Sequence, residues 1–243
     1  MALITRSQSE ADRAHLDAAV DAGVSVNAGA GTELGTGAQT RTLGTNLSSA
    51  LRPLPGESAC GDQLDAWLID TGLRLAVADG LGHGPEAQRA AVTALDELRQ
   101  ASPGLELAEL FARCDQALIG TRGVALAVVD VRPDAGQVLH ASVGNVRTLL
   151  IHQDKVRRLG GARGIVGAGF RALRPERFVL APGDWLVLYS DGIAENADLA
   201  TALAEADLEP DPNHVPENSL ASRLLARWAS DRDDASLLLY RHV

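Results

Sequence analysis

The chain has 243 residues, 46% of them hydrophobic, enough to bury a full core within one principal domain. A formal net charge of -10 argues against a nucleic-acid partner, since neutralising phosphates takes clustered Lys and Arg and no basic stripe offsets the acids. No run approaches the roughly eighteen apolar residues of a membrane span, and "MALITRSQSEADRAH" turns polar too early for a signal peptide, so a soluble, cytoplasmic protein with no membrane partner is expected.

Residues 1–45 read as a separate amino-terminal segment. "SEADRAHLDAAVDAG" is compatible with one short helix, capped by Ser9 and stopped by Gly23, and the Gly-, Ala- and Thr-rich stretch after it reads as a linker. The folded domain is placed at 46–243. "LDAWLID" and "LRLAVAD" are apolar runs joined by a tight turn, the pattern of a strand pair. "PEAQRAAVTALDELRQA" has helical spacing with Pro85 in its first turn, and "ELAELFARCDQALIG" makes a second helix. Strands then follow in "GVALAVVDV", "GQVLHASVG", "VRTLLIHQ", "RFVLAP" and "DWLVLYS", with "SVGN" as a hairpin turn between two of them. A helix in "NSLASRLLARWAS" and a closing strand in "ASLLLYR" end the chain. This order predicts an α+β sandwich of two packed sheets covered by helices. Cys60 and Cys114 stand in no metal or redox spacing and are expected to be reduced, buried thiols.

Acids recur at strand ends. Asp62 precedes one strand, Asp79 ends the next, Asp191 follows "DWLVLYS", and Asp233 and Asp234 precede the last. Each "DG" taken singly is an ordinary turn dipeptide. Carboxylates at the ends of neighbouring strands can converge, however, and together they would suit a hard cation such as Mg²⁺ or Mn²⁺. Asp65, Asp70, Asp130, Asp134 and Asp184 read as turn or strand-end residues, Asp184 most clearly so in "APGDW". The glycines of "VADGLGHG" invite three readings: a plain turn, a phosphate cradle or a metal site. No dinucleotide-binding context surrounds them, nor "GGARGIVGAGF", which reads as a surface loop near the site.

The ordered set "RPLPGESACGD", "VADGLGHG", "SVGNVRTLLI", "GIVGAGF", "LAPGDWLVLYSDGIAEN" and "DDASLLLY" resembles the metal-dependent Ser/Thr protein phosphatase (PPM) family, in its SpoIIE-type bacterial branch and nearest its RsbX-like stand-alone members. The resemblance covers roughly Leu47 to Tyr240 and implies a four-layer α-β-β-α sandwich of two antiparallel sheets flanked by helices. It further implies that Asp79 bridges two Mn²⁺ or Mg²⁺ ions, that the Gly80 carbonyl completes one coordination sphere, and that Asp191 and Asp233 hold the second ion. Asp62 would hold bound waters or ligate directly, making Asp62 and Asp79 the catalytic pair; Asp234 is the less favoured ligand beside Asp233. Two ions about 3.5–4 Å apart acidify a shared water and offset phosphoryl charge, so no protein nucleophile is needed.

His83 takes a supporting role in this resemblance, because eukaryotic members carry a histidine directly after the "DG" and this chain has Leu81 there. The eukaryotic phosphate-binding arginine has no counterpart either: the nearest before Asp62 is Arg52, read as a strand-end surface charge. The implied function is phosphoserine or phosphothreonine hydrolysis on phosphorylated STAS-domain proteins of a stressosome or partner-switching sigma-factor pathway. The alternatives are a non-catalytic phosphoprotein-binding regulator with the same fold, and hydrolysis of a small phosphoester.

Overall fold

A computed structural model describes residues 39–42, 46–102, 104–153, 155–208 and 219–243. The helix expected over Ser9 to Gly23 lies outside them. The described chain runs β1 (Gln39–Thr42), β2 (Leu47–Arg52), β3 (Asp62–Ile69), β4 (Gly72–Gly80), α1 (Pro85–Gln100), α2 (Leu107–Ala117), β5 (Val124–Arg132), β6 (Gln137–Val143), β7 (Arg147–His152), β8 (Lys155–Arg158), β9 (Gly164–Ile165), β10 (Gly169–Phe170), β11 (Glu176–Val179), β12 (Trp185–Tyr189), α3 (Leu199–Leu208), α4 (Leu220–Trp228) and β13 (Ala235–Arg241). One sheet has the order β1-β2-β13-β12-β7-β8 and the other β11-β6-β5-β4-β3; β9 and β10 form a separate short hairpin. The pairings in both sheets are antiparallel, so the fold is the expected α+β sandwich.

The continuous apolar runs are explained by burial on both faces. Side chains alternate along a strand. In β4, Leu75 and Val77 face the second sheet and pack with Leu186, Leu188, Leu238 and Tyr240. Ala76 and Ala78 face the other way, into a core shared with α1 and α2. A third core joins Val187, Leu237 and Leu239 of the other sheet to Leu203 of α3 and Leu224 and Leu225 of α4. Three cores separate four layers, helices outside and sheets within.

Helix α1 buries Ala87, Ala90, Ala91, Ala94, Leu95 and Leu98, one face at helical spacing. The small alanines bring it very close to the end of β4: a Cβ added to Gly80 would overlap the backbone carbonyl of Ala87. Gly80 is therefore required by the packing of α1 against the end of β4.

Several expectations are corrected. Residues 39–42, assigned to the linker, pair with β2 as an edge strand. "SVGN" is not a hairpin turn, because β6 pairs with β5 and β11 while β7 pairs with β12 and β8 in the opposite sheet; Gly144 and Asn145 carry the chain across the sandwich. Asp65 and Asp130 are strand-interior residues held by arginines: Asp65 by Arg99 of α1, and Asp130 by a two-pronged contact from Arg74 at 2.6 and 2.7 Å. Asp184 is the expected turn residue, accepting from the Ala181 amide at 2.8 Å and from His152 Nδ1 at 2.6 Å. Cys60 and Cys114 are both free and buried, and burial pushes both thiols up, Cys114 to about 12. Neither is a nucleophile in that state.

Candidate metal centre

The alternation that sends Leu75 and Val77 between the sheets places Asp79 on the same face at the end of β4. Asp62 is its direct partner in the β3–β4 register. Residues directly opposite share a face, so the two carboxylates meet at one end of the sandwich. Asp62 is only 2% exposed, and its Oδ2 has no hydrogen-bond partner. Burial pushes its carboxyl up to about 7; the nearby hydroxyls of Ser190 and Ser236 favour ionisation without completing a bond to Oδ2, and the charges of Asp234 and Asp233 oppose it. Asp79 is pushed further, to about 9, by burial first and then by the charges of Asp62, Asp191 and Asp233.

The second sheet supplies the remaining acids from two turns. Asp191 follows β12, and Asp233 lies between α4 and β13. The turns are in backbone contact: a Cβ on Gly192 would overlap the carbonyl of Asp234, so the glycine of "SDG" is fixed by that approach. Asp79, Asp191 and Asp233 line one cleft of about 500 Å³, shared with Asn145 and Arg163, while Asp62 lies buried beside Asp79. Burial, with the charges of Asp191 and Asp234, also raises the Asp233 carboxyl.

Asp233 and Asp234 part company here. Asp234 is 2% exposed, and its two oxygens accept from the amides of Leu54 at 2.7 Å and Gly61 at 2.8 Å. It ties the β2–β3 connection to the last strand. Among the described residues, Asp233 accepts only from the Asp234 amide, at 2.9 Å, and it opens onto the cleft.

Asn145 is a residue that sequence reasoning missed. Its Nδ2 donates to Asp191 Oδ2 at 2.7 Å, so the crossing between sheets orients a carboxylate of the cleft. No local signal distinguishes this from a turn asparagine. Arg52 is engaged elsewhere, bonding the Ser230 carbonyl at 2.6 Å and pairing with Asp231 at 3.2 Å. His83 has a half-exposed side chain whose Nδ1 donates to Glu57 Oε1 at 2.7 Å, joining the 81–84 loop to the β2–β3 connection. Glu57, in the quoted "LPGES", had no role in the sequence reading.

Among the described residues, no three His, Cys, Asp or Glu side chains form a closed ligand set by themselves. The site is instead a convergence of acids that repel one another, with an orphaned buried oxygen on Asp62. Such an all-oxygen, anionic set fits a hard divalent cation, which would relieve the repulsion and partner that oxygen.

The family model described as Stage II sporulation protein E (SpoIIE) matches residues 69–243. The chain belongs to the SpoIIE family. Among curated proteins, the phosphoserine phosphatase RsbX of Bacillus subtilis (strain 168) is 34% identical over 95 residues, 39% of this chain and 47% of that one, so the match spans about half of the relative's length. A solved structure described as the bacterial stressosome, a modular system adapted to control secondary messenger signaling, is 28% identical with a TM-score of 0.71, covering 81% of this chain and 98% of that chain. RsbX in complex with magnesium has the same fold, with a TM-score of 0.68 at 20% identity over 85% of this chain and all of the other. The PPM Ser-Thr phosphatase MsPP from Mycobacterium smegmatis shares it too, at 0.57 and 22% over 82% of this chain and 99% of that one. The resemblance read from six short motifs is thus a family relationship, and the SpoIIE-family fold is that of the PPM phosphatases.

Proposed function

We propose that this SpoIIE-family chain is a Mn²⁺- or Mg²⁺-dependent phosphoprotein phosphatase that hydrolyses phosphoserine or phosphothreonine on STAS-domain proteins of a stressosome or partner-switching pathway. The observation that carries the reading is the convergence of Asp79, Asp191 and Asp233 on one cleft, with Asp62 beside Asp79. The stressosome and RsbX relatives point to the substrate class.

In this reading Asp79, Asp62, Asp191 and Asp233 hold the ions, with the Gly80 carbonyl as a backbone ligand. Two divalent ions supply an acidified water and positive charge for the phosphoryl oxygens. The chain's own groups do the rest. Asn145 fixes the rotamer of Asp191, and Asp234 holds the β2–β3 connection in place so that Asp62 keeps its position. His83 steadies the glycine loop through Glu57. Burial makes ionisation of Asp62 and Asp79 unfavourable unless a cation is there to compensate, which couples their protonation to ion binding.

The substrate class is tested by comparing hydrolysis of a phosphorylated STAS-domain protein, followed by intact mass, with hydrolysis of a small aryl phosphate under the same Mn²⁺ concentration. The proposal predicts kcat/KM at least about a hundredfold higher on the protein, because binding energy away from the phosphate assists the reaction only on the larger substrate. Equal values on both would replace the phosphoprotein with a small phosphoester.

A further inference from the structure

Among the described residues that line the cleft, one is a cation, Arg163. Arg163 shares the lining with Asp79, Asp191 and Asp233, with Asn145 and with the apolar Leu81 and Ile165. Two arginines of adjoining segments are already committed: Arg122 pairs with Glu86 at 2.9 Å, and Arg147 with Glu195 at 2.9 Å. Arg163 is exposed, and among the described residues its guanidinium makes no ion pair.

The backbone that presents it is held on both sides. Before it, the Ala162 amide bonds the Ser142 carbonyl at 2.8 Å, and the Ala162 carbonyl accepts from Gly144 at 3.0 Å. After it, Val166 exchanges two 2.9 Å bonds with Val124 and is fully buried. The Gly167 amide donates to Asp115 at 2.6 Å, and the Arg163 carbonyl itself accepts from Arg171 at 2.9 Å. These contacts fasten the β9–β10 hairpin to the ends of β5 and β6, in the sheet that carries Asp79. A long side chain is therefore presented to the cleft from a fixed base, so no loop has to be ordered when it is used.

We infer that Arg163 is the substrate-binding residue that forks onto the phosphoryl oxygens of a phosphoserine or phosphothreonine side chain. The inference rests on the phosphatase reading and supplies what that reading lacks, a protein cation for a dianion entering an acid-lined cleft on a chain of net charge -10. A guanidinium suits the task because its parallel N–H groups match two oxygens of one phosphate at once. Arg163 thereby takes the part that Arg52, tied to Ser230 and Asp231, does not.

The test measures kcat and KM on a phosphoserine peptide with saturating Mn²⁺, and the inhibition constant of inorganic phosphate, for the native chain, Arg163→Ala, Arg163→Lys and Arg174→Ala. Circular dichroism and thermal melting confirm that each variant is folded. Arg163→Ala is expected to raise both KM and the phosphate inhibition constant about tenfold, with a smaller change in kcat. Arg163→Lys should recover part of the loss, restoring charge without the fork, and Arg174→Ala, outside the cleft, should match the native chain. A folded Arg163→Ala whose two constants stay within twofold of native overturns the inference and leaves the phosphatase reading standing. A native chain that releases no phosphate overturns that reading, and the inference with it.

Discussion

Asp62 and Asp79 stand directly opposite each other across the β3–β4 ladder, two acids on one face of a buried strand pair. Like charges in that position destabilise a sheet, so the pair makes folding depend on pH and on cations. Both carboxyls are raised above their ordinary value of 3.8, to about 7 and about 9. A raised acid binds more protons folded than unfolded, so its contribution to stability is complete below the unfolded value and is lost as pH rises through the folded one. With EDTA present, the melting temperature is expected to fall by about 5 °C or more between about pH 6 and pH 9. Asp79→Asn should remove most of that slope, and excess Mg²⁺ should cancel it. Scanning fluorimetry across this range gives the answer; a flat or rising curve in EDTA would contradict it.

Asn145 is expected to tune ion binding through Asp191. With its 2.7 Å bond removed in Asn145→Ala, the Asp191 carboxylate loses its orientation. Calorimetric titration with Mn²⁺ should show affinity weakened by roughly tenfold, the usual consequence of losing a partner behind a metal ligand, with little change in melting temperature.

The two adjacent acids should separate stability from ion binding. Asp234→Ala strips the acceptor from the Leu54 and Gly61 amides and should cost about 3 kcal/mol in urea unfolding, since hydrogen bonds to a buried carboxylate are among the stronger ones. Asp233→Asn leaves those bonds intact. It should unfold within about 1 kcal/mol of native while losing most of its Mn²⁺ affinity.

His83 is expected to hold a loop rather than supply a proton. Its Nδ1 is taken by Glu57, at 2.7 Å, and its side chain is half exposed. His83→Gln should keep turnover within about threefold and leave the shape of the pH–rate profile unchanged. A lost limb in that profile would restore the general-acid role.

The legible part of this molecule was what local pattern controls. Runs such as "LRLAVAD" and "DWLVLYS" announced buried strands, and α1 and α4 announced themselves by apolar spacing. The four acids at strand ends were visible as a set, and the structure brings Asp79, Asp191 and Asp233 to one cleft with Asp62 buried beside Asp79. What escaped depends on distant partners. "SVGN" has the same turn chemistry whether its flanking strands pair with each other or with strands elsewhere, so its crossing between sheets, and with it the bond from Asn145 to Asp191, is a tertiary fact. Edge strand β8 is exposed throughout and lacks the alternation that marks a half-buried strand. Helix α3, "LATALAEADL", is too uniformly Ala- and Leu-rich to show a face. Arg163 sits in a glycine loop whose place over the cleft is fixed by hydrogen bonds to Ser142 and Val124, far away in sequence.

The central claim is that the acids around Asp79 hold divalent ions that drive phosphoester hydrolysis on a protein substrate. Its most direct test is the initial rate of phosphate release from a phosphoserine-bearing STAS-domain protein as Mn²⁺ is titrated, for the native chain and for Asp79→Asn. Release by the native chain is expected to rise with Mn²⁺ to a plateau and vanish in EDTA, with a rate at least about a thousandfold lower for Asp79→Asn at the same plateau concentration. Equal rates for the two proteins, or release by the native chain that persists in EDTA, would contradict it.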